Sequence, residues 1–333
     1  MKDSIVNITS LAMLLLSISV LSIIFALTFG AADLTPNQLM QCIVKQCDNA
    51  LTEAIVWQIR IPRILVGFAA GAGLASAGAI LQNTTRNPLA DPYLFGIVSG
   101  AGLGATIASI AFPQNLTFTL PFAAFLGALL AISLVFLLAK FVQRIEQLLL
   151  AGVAISFMLG AVTQFTLYIG DPLASNRVLF WLMGSLANVE MTQFYLIFSV
   201  VICAIVIILA FHRHIDALAL GDENAMSLGV NVNKLRLLML ALCAAITAVI
   251  VAYCGGIAFV GLMIPHIVRH YIGSSTVKLI IGASFIGGCF LIWVDVIARS
   301  AMANLELPLG IITSIIGSVF FLFIMIQGNR SHG

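Results

Sequence analysis

Ten apolar runs, most of them close to the length of a bilayer crossing, dominate this chain of 333 residues. They lie at 11–30, 59–82, 93–112, 118–140, 148–169, 191–211, 236–254, 257–271, 278–299 and 308–327. A helix needs about 20 mainly apolar residues to cross the hydrocarbon core. Hydrocarbon offers the backbone no hydrogen-bond partners, so each crossing has to be a helix that satisfies its own N–H and C=O groups. The eighth run is short and rich in glycine, which leaves its limits open. Composition agrees with lipid as the solvent. The chain is 61% hydrophobic and only 8% charged, where a soluble domain carries about 25% charge and would aggregate if it were this apolar. The expected fold is all-α: a polytopic integral membrane protein of about ten transmembrane helices.

The first run follows a short head bearing Lys2 and precedes Gly30-Ala31-Ala32, a faint match to a signal-peptide cleavage site. It is long for a signal-peptide core and further spans follow, which favours an uncleaved first helix. Orientation follows the Lys/Arg bias of the loops. With the N-terminus inside, ten of the 15 Lys and Arg residues fall inside: Lys2, Arg86, Lys140, Arg144, Arg213, Lys234, Arg236, Arg269, Lys278 and Arg330. Lys45, Arg60, Arg63, Arg177 and Arg299 fall outside. Both termini are therefore expected on the cytoplasmic side. The net charge of +2 is spread thinly, so nothing points to nucleic acid.

Of the six cysteines, Cys203, Cys243, Cys254 and Cys289 sit in apolar runs and read as small hydrophobes. Cys42 and Cys47 lie in a polar segment. Two readings stand for them: oxidation if the segment faces outward, or two free thiols on a short helix, where a five-residue spacing suits a disulfide poorly. Gly67 with Gly71, and Gly96 with Gly100 and Gly104, have the spacing that lets helix backbones approach closely in lipid. Dense packing is the plainer reading of these glycines, and a flexible gate the sharper one. His266 and His270 are four residues apart, but a pair without a third ligand does not make a metal site. No P-loop pattern occurs. No metalloprotease, paired-cysteine zinc or serine-nucleophile pattern occurs either. The chain is not expected to be an enzyme or to hold a metal or cofactor of its own.

The loops are more informative. Arg60-Ile61-Pro62-Arg63 opens the second run, and a polar stretch from Gln82 through Arg86-Asn87-Pro88-Leu89-Ala90-Asp91-Pro92 follows it. Trp181-Leu182-Met183-Gly184-Ser185-Leu186 precedes the sixth run. Leu220-Gly221-Asp222-Glu223-Asn224-Ala225-Met226-Ser227-Leu228-Gly229-Val230 fills the largest inside loop. Gly255-Gly256-Ile257-Ala258-Phe259-Val260-Gly261-Leu262 leads to Ile264-Pro265-His266-Ile267-Val268-Arg269. Asp295-Val296-Ile297-Ala298-Arg299 and Glu306-Leu307-Pro308-Leu309-Gly310 complete the set. In this order the segments resemble the FecCD-type permeases, which import iron-siderophores, haem and vitamin B12. The resemblance runs from about residue 60 to 326, whereas 33–56 matches nothing in the family.

The resemblance implies a single permease domain over 1–333, working as a homodimer or with a close relative in the bacterial inner membrane. Two ATPase subunits, which carry the ATP and Mg, would bind the cytoplasmic face, and a periplasmic binding protein would deliver substrate. The 212–235 loop would hold the coupling helix: Gly221, Asp222, Glu223, Asn224, Ala225, Met226, Leu228 and Gly229. There Asp222 is expected to cap the helix and Gly229 to stop it. A turn packed on its own subunit is the alternative. Arg60 and Arg63 share a helix face. By resemblance they and Arg299 receive acidic residues of the docking protein, a task suited to the planar arginine fork. Snorkelling to lipid phosphates, and an i,i+4 pair of Arg299 with Asp295, are the other readings. Asn87 and Leu89, opposite Ile145 and Glu146, would form the cytoplasmic gate, or else an ordinary inter-helix turn. An ion-coupled carrier is the rival class. It needs buried charges along its route, and Asp295 is its best candidate. The substrate stays open among iron-siderophore, haem, cobalamin and a molybdate-type oxyanion.

Overall fold

A computed structural model describes residues 8–30, 34–47, 49–139, 141, 145–302 and 305–330. Among these residues all regular structure is helical. Each of the ten apolar runs is a helix, and eight helices are long and apolar enough to cross a membrane. The protein is a polytopic membrane protein.

The first crossing is α1 (Ile8–Thr28). A short α2 (Pro36–Ile43) follows, started by a capping box between Thr35 and Gln38 with proline in its first turn. Asn49 caps α3 (Ala50–Ala54). This continues through a π-helical stretch, Ile55–Arg60, into α4 (Ile61–Thr85). Together they make one helix of 36 residues. The chain then turns at Arg86, which is left-handed at φ 51°. A 3-10 turn, Pro92–Phe95, leads into α5 (Ile97–Ala111), α6 (Leu116–Ala139) and α7 (Ile145–Ile169). Next come α8 (Pro172–Leu182), α9 (Met191–Ala210), α10 (His212–Ala219) and α11 (Asp222–Ser227). The remainder is α12 (Val232–Cys254), α13 (Val260–Tyr271), α14 (Thr276–Ser300) and α15 (Leu309–Arg330).

The bundle is organised around α4, which is buried on nearly all sides by α9, α12, α13 and α14. Only a helix rich in Gly and Ala fits there. A Cβ on Gly71 would stand 2.2 Å from the Gly287 carbonyl oxygen of α14, and one on Gly78 1.8 Å from that of Gly261 in α13. Gly100 and Gly104 of α5 meet Gly127 and Ala123 of α6 in the same way. The glycine spacing thus serves close packing. Gly67 is the exception, meeting only a methyl group of Leu186. By contrast α6, α7, α9 and α15 turn apolar side chains outward, among them Phe118, Phe157 and Leu322. Lipid or another protein must cover these faces.

Three elements depart from the sequence expectation. The run at 93–112 yields a helix only from Ile97, because Gly96 is left-handed at φ 76°. The run at 257–271 yields the 12-residue α13, because Gly255 and Phe259 both have positive φ and the backbone between them is extended. This extended stretch is satisfied inside the protein, as a membrane requires. Tyr93 Oη accepts from the Ile257 N–H at 2.8 Å, and Cys254 O accepts from the Ser185 N–H at 2.9 Å. Close by, Gly184 O and Met183 O accept from the N–H groups of Leu309 and Gly310. The third departure is α8. It lies between the fifth and sixth apolar runs, where no helix is expected, and there Asp171 caps a helix that Pro172 opens.

Candidate functional site: the polar networks at the two ends

At one end of the bundle, α10 and α11 bring the 212–235 loop back against α4. Gly221, at φ 112°, turns the chain into α11, and Gly229, at φ 81°, turns it out. The N–H groups of Gly229 and Val230 return to the carbonyls of Met226 and Ala225, the paired closure of a Schellman motif. Ala225 is fully buried, whereas Met226 and Leu228 are 56% and 66% exposed. Glu223 and Asn224 are exposed as well. The short helix therefore anchors by one small residue and presents a mixed apolar and polar ridge.

Asp222 has a different task from the one expected. It is the first helical residue, Gly221 stands at the cap position, and no side chain caps the helix. The carboxylate instead accepts two bonds from Arg236 of α12, Nη2 to Oδ1 at 2.7 Å and Nη1 to Oδ2 at 2.8 Å. Arg86 adds a third contact at 3.2 Å. Arg236 also donates through Nε to the Thr84 carbonyl in the last turn of α4. The hydrogen bonds from Arg236 and the charges of Arg236 and Arg86 hold the Asp222 carboxyl below its ordinary range. One carboxylate thus ties α11 to α12 and to the end of α4. Beside it, Arg269 of α13 donates to Gln82 and Asn83. Asp216 of α10 accepts from the N–H and hydroxyl of Thr276 at the start of α14.

The loop leaving α4 is a tight turn in which Asn87 Oδ1 accepts from the Leu89 N–H at 2.9 Å. Leu89 is 59% exposed. Ile145 and Glu146 open α7, but their side chains lie outside the described residues. Their position relative to Asn87 and Leu89 is not part of the geometry.

At the opposite end, Arg60, Arg63 and Arg299 are all buried, at 3%, 6% and 9% exposure. Arg60 donates to the Leu27 carbonyl and Arg299 to the Ala26 carbonyl. Both carbonyls belong to the last turn of α1, where no intrahelical partner exists. Arg63 places Nε on Asp295 at 2.9 Å and both terminal nitrogens on Glu306, each at 2.9 Å. Asp295 also lies 3.5 Å from Arg299, the i,i+4 pair. Glu306 is the exposed member of this network, with 48% of its side chain accessible. Sequence reasoning singles out the arginines and the Arg299–Asp295 pair, but misses that α1 carbonyls take up Arg60 and Arg299 and that Asp295 and Glu306 take up Arg63. It likewise counted Arg86 and Arg236 only as inside charges. Asp222 and Arg236 lie 14 positions apart on two helices separated by a turn, so no periodicity announces their contact. Neither network includes a metal site; among the described residues no group of His, Cys, Asp and Glu is placed to hold one.

The chain matches the FecCD transport family over residues 15–327. It is 35% identical to the Fe(3+)-citrate import system permease protein YfmE of Bacillus subtilis, covering 97% of this chain and 96% of that one. It is 39% identical to the cobalamin import system permease protein BtuC of Halobacterium salinarum, over 82% and 73%. It is 35% identical to the hemin transport system permease protein HmuU of Yersinia pestis, over 84% and 86%. Among solved structures, an inward-facing ABC transporter assigned to the metal-chelate type superposes with a TM-score of 0.86 at 29% identity, covering 96% of this chain and 99% of that one. The chain belongs to the FecCD transport family and is a permease subunit of an ABC importer.

Proposed function

We propose that this permease carries a metal chelate inward across the cytoplasmic membrane by alternating access, in a complex of two permease chains and two ATPase subunits. The substrate class rests on relatives named for ferric citrate, cobalamin and hemin, all chelated metals. Both termini and the α11 end face the cytoplasm in this reading, as the Lys/Arg bias requires. The observation that carries the reading is α11 itself. A helix of six residues is stable only when packed. Here it is fastened by Asp222 while Met226 and Leu228 stand open. Such a ridge suits a groove in a motor subunit, with Glu223 and Asn224 at the rim. Movement of α11 then reaches the end of α4 and the Asn87–Leu89 turn through Arg236 and Arg86.

A delivery protein would approach the opposite end. Arg60 and Arg299 serve α1 carbonyls and hold the outer rim together. Arg63 is the docking arginine in this reading, by exchange: a carboxylate of the delivery protein takes the place of exposed Glu306. An ion-coupled carrier fits less well, because its best acid, Asp295, is already engaged by Arg63 and Arg299. The test is co-expression of the chain with its ATPase. A stable complex that loses the ATPase on substitution of Met226 and Leu228 by aspartate supports the reading, and an unchanged complex opposes it.

A further inference from the structure

The segment between the first two crossings carries a built surface of its own. Down the axis of α2, at about 100° per residue, its side chains fall into three sectors. Leu39 and Cys42 are buried and pack with Val56. Next to them Ile43, Met40 and Val44 are exposed at 41%, 67% and 63%. Beyond these, Asn37 and Gln41 face outward as a polar strip. The middle sector has neither charge nor hydrogen-bonding group. A helix that is protein-facing, apolar and polar in turn is built to lie in the plane of a membrane surface.

Its height in the fold agrees. The 36-residue helix that begins at Ala50 is about 54 Å long, well over the ~30 Å hydrocarbon core. Its first turns, which carry Thr52, Glu53 and Gln58 ahead of the apolar run at 59, are placed to stand beyond the lipid, and there α2 packs through Val56. Trp57 donates to the Cys42 carbonyl at 3.1 Å and keeps its ring partly exposed, as aromatic residues do at membrane interfaces. α2 packs against α1, whose last turn and end expose Phe25 and Phe29. The Cys42–Cys47 disulfide fastens the end of α2. The free-thiol reading assumed a helix through both cysteines, but α2 ends at Ile43 and Lys45 turns the chain back at φ 60°. A disulfide persists in an oxidising compartment, which puts the segment on the outer face.

We propose that α2 is an interfacial helix of the outer leaflet, with Met40, Ile43 and Val44 in the acyl boundary and Asn37 and Gln41 toward water. The occupant of the apolar sector is lipid, because the sector is uncharged and α2 packs against α1, which exposes apolar side chains along its length. The inference stands on the outward placement of this segment and not on the substrate or the motor. To test it, the photoreactive residue p-benzoylphenylalanine replaces Met40, Gln41 or Val44 in the full chain, in native membrane vesicles and in phosphatidylglycerol-containing nanodiscs. The same residue at Ile18, exposed on α1, reports correct insertion. Lipid adducts several-fold more abundant at 40 and 44 than at 41 are expected in both preparations. Three results overturn the proposal in chains that pass the Ile18 control. These are equal yields at all three positions, adducts to a protein at 40 and 44, or no adduct there.

Discussion

Arg236 grips both oxygens of Asp222, at 2.7 and 2.8 Å, while its Nε reaches the Thr84 carbonyl. This one side chain joins the six-residue α11 to the end of the deeply buried α4. Charge-assisted bidentate pairs are the strong class of hydrogen bond, but solvent reaches Asp222. The pair therefore contributes about 1 kcal/mol to local stability. Asp222→Asn and Arg236→Ala are expected to leave the chain folded and assembled with its ATPase. Substrate moved per ATP hydrolysed should fall several-fold. Parallel measurement of uptake and hydrolysis in proteoliposomes checks this; an unchanged ratio would remove Asp222 from the transmission path.

The same pair sets a pH dependence. Arg236 and Arg86 hold the Asp222 carboxyl below its ordinary range. A group whose pKa is lowered in the folded protein contributes stability above its unfolded pKa and loses it as pH falls through the folded value. Seating of α11 should thus persist through neutral and mildly acidic pH and loosen only under stronger acid. Spin labels on the exposed positions Glu223 and Leu89 report it as a distance distribution. In Asp222→Asn, which mimics the protonated carboxyl, the distribution should be broad already at neutral pH.

The opposite end calls for a stability experiment. Asp295 is 1% exposed and compensates two buried arginines. Asp295→Ala takes the ion-pair partner from Arg299 and leaves Arg63 only the half-exposed Glu306, and breaking a buried pair in this way destabilises by about 3–5 kcal/mol. Glu306→Ala removes a carboxylate that is half in solvent and should lower the thermal unfolding temperature much less. Equal losses in the two variants would mean that Asp295 is not the anchor of the cluster.

Glycine packing makes a sharper contrast. A Cβ at Gly78 would meet the Gly261 backbone at 1.8 Å, so α4 and α13 must separate in Gly78→Ala. At Gly67 the added methyl meets only the end of the Leu186 side chain at 3.1 Å, which needs to give by only a few tenths of an ångström. Overpacking of a rigid contact costs about 1–3 kcal/mol or more. Gly78→Ala should therefore give little monodisperse protein in size-exclusion chromatography, and Gly67→Ala nearly the normal yield.

What was legible in the sequence was whatever depends on local pattern. Apolar length discloses a helix in each of the ten runs, eight of them long enough to cross a membrane among the described residues, and Gly67-to-Gly71 spacing discloses close packing at Gly71. The shortened starts of α5 and α13 were not legible, because Phe259 adopts a positive φ that only tertiary packing imposes on such a residue. The site was half legible. Loop motifs located α11 and the outer arginines, but the residues that engage them come from distant helices. Arg236 meets Asp222, and the α1 carbonyls of Ala26 and Leu27 meet Arg299 and Arg60, across separations that carry no periodic signal. The sequence leaves Cys42 and Cys47 open between a disulfide and free thiols for a related reason: nothing local reveals that α2 stops at Ile43 and that Lys45 turns the chain back between them.

The central claim is that this chain moves substrate under the power of an ATPase seated on α11. Proteoliposomes that contain the chain and its ATPase, with ATP on the α11 side and the delivery protein loaded with radiolabelled ferric citrate, hemin or cobalamin on the other, test it directly. The account predicts ATP-dependent accumulation of one of these chelates, abolished when Met226 and Leu228 are replaced by aspartate. Accumulation driven by an ion gradient with no ATPase present, or ATP-driven accumulation untouched by those substitutions, would contradict it.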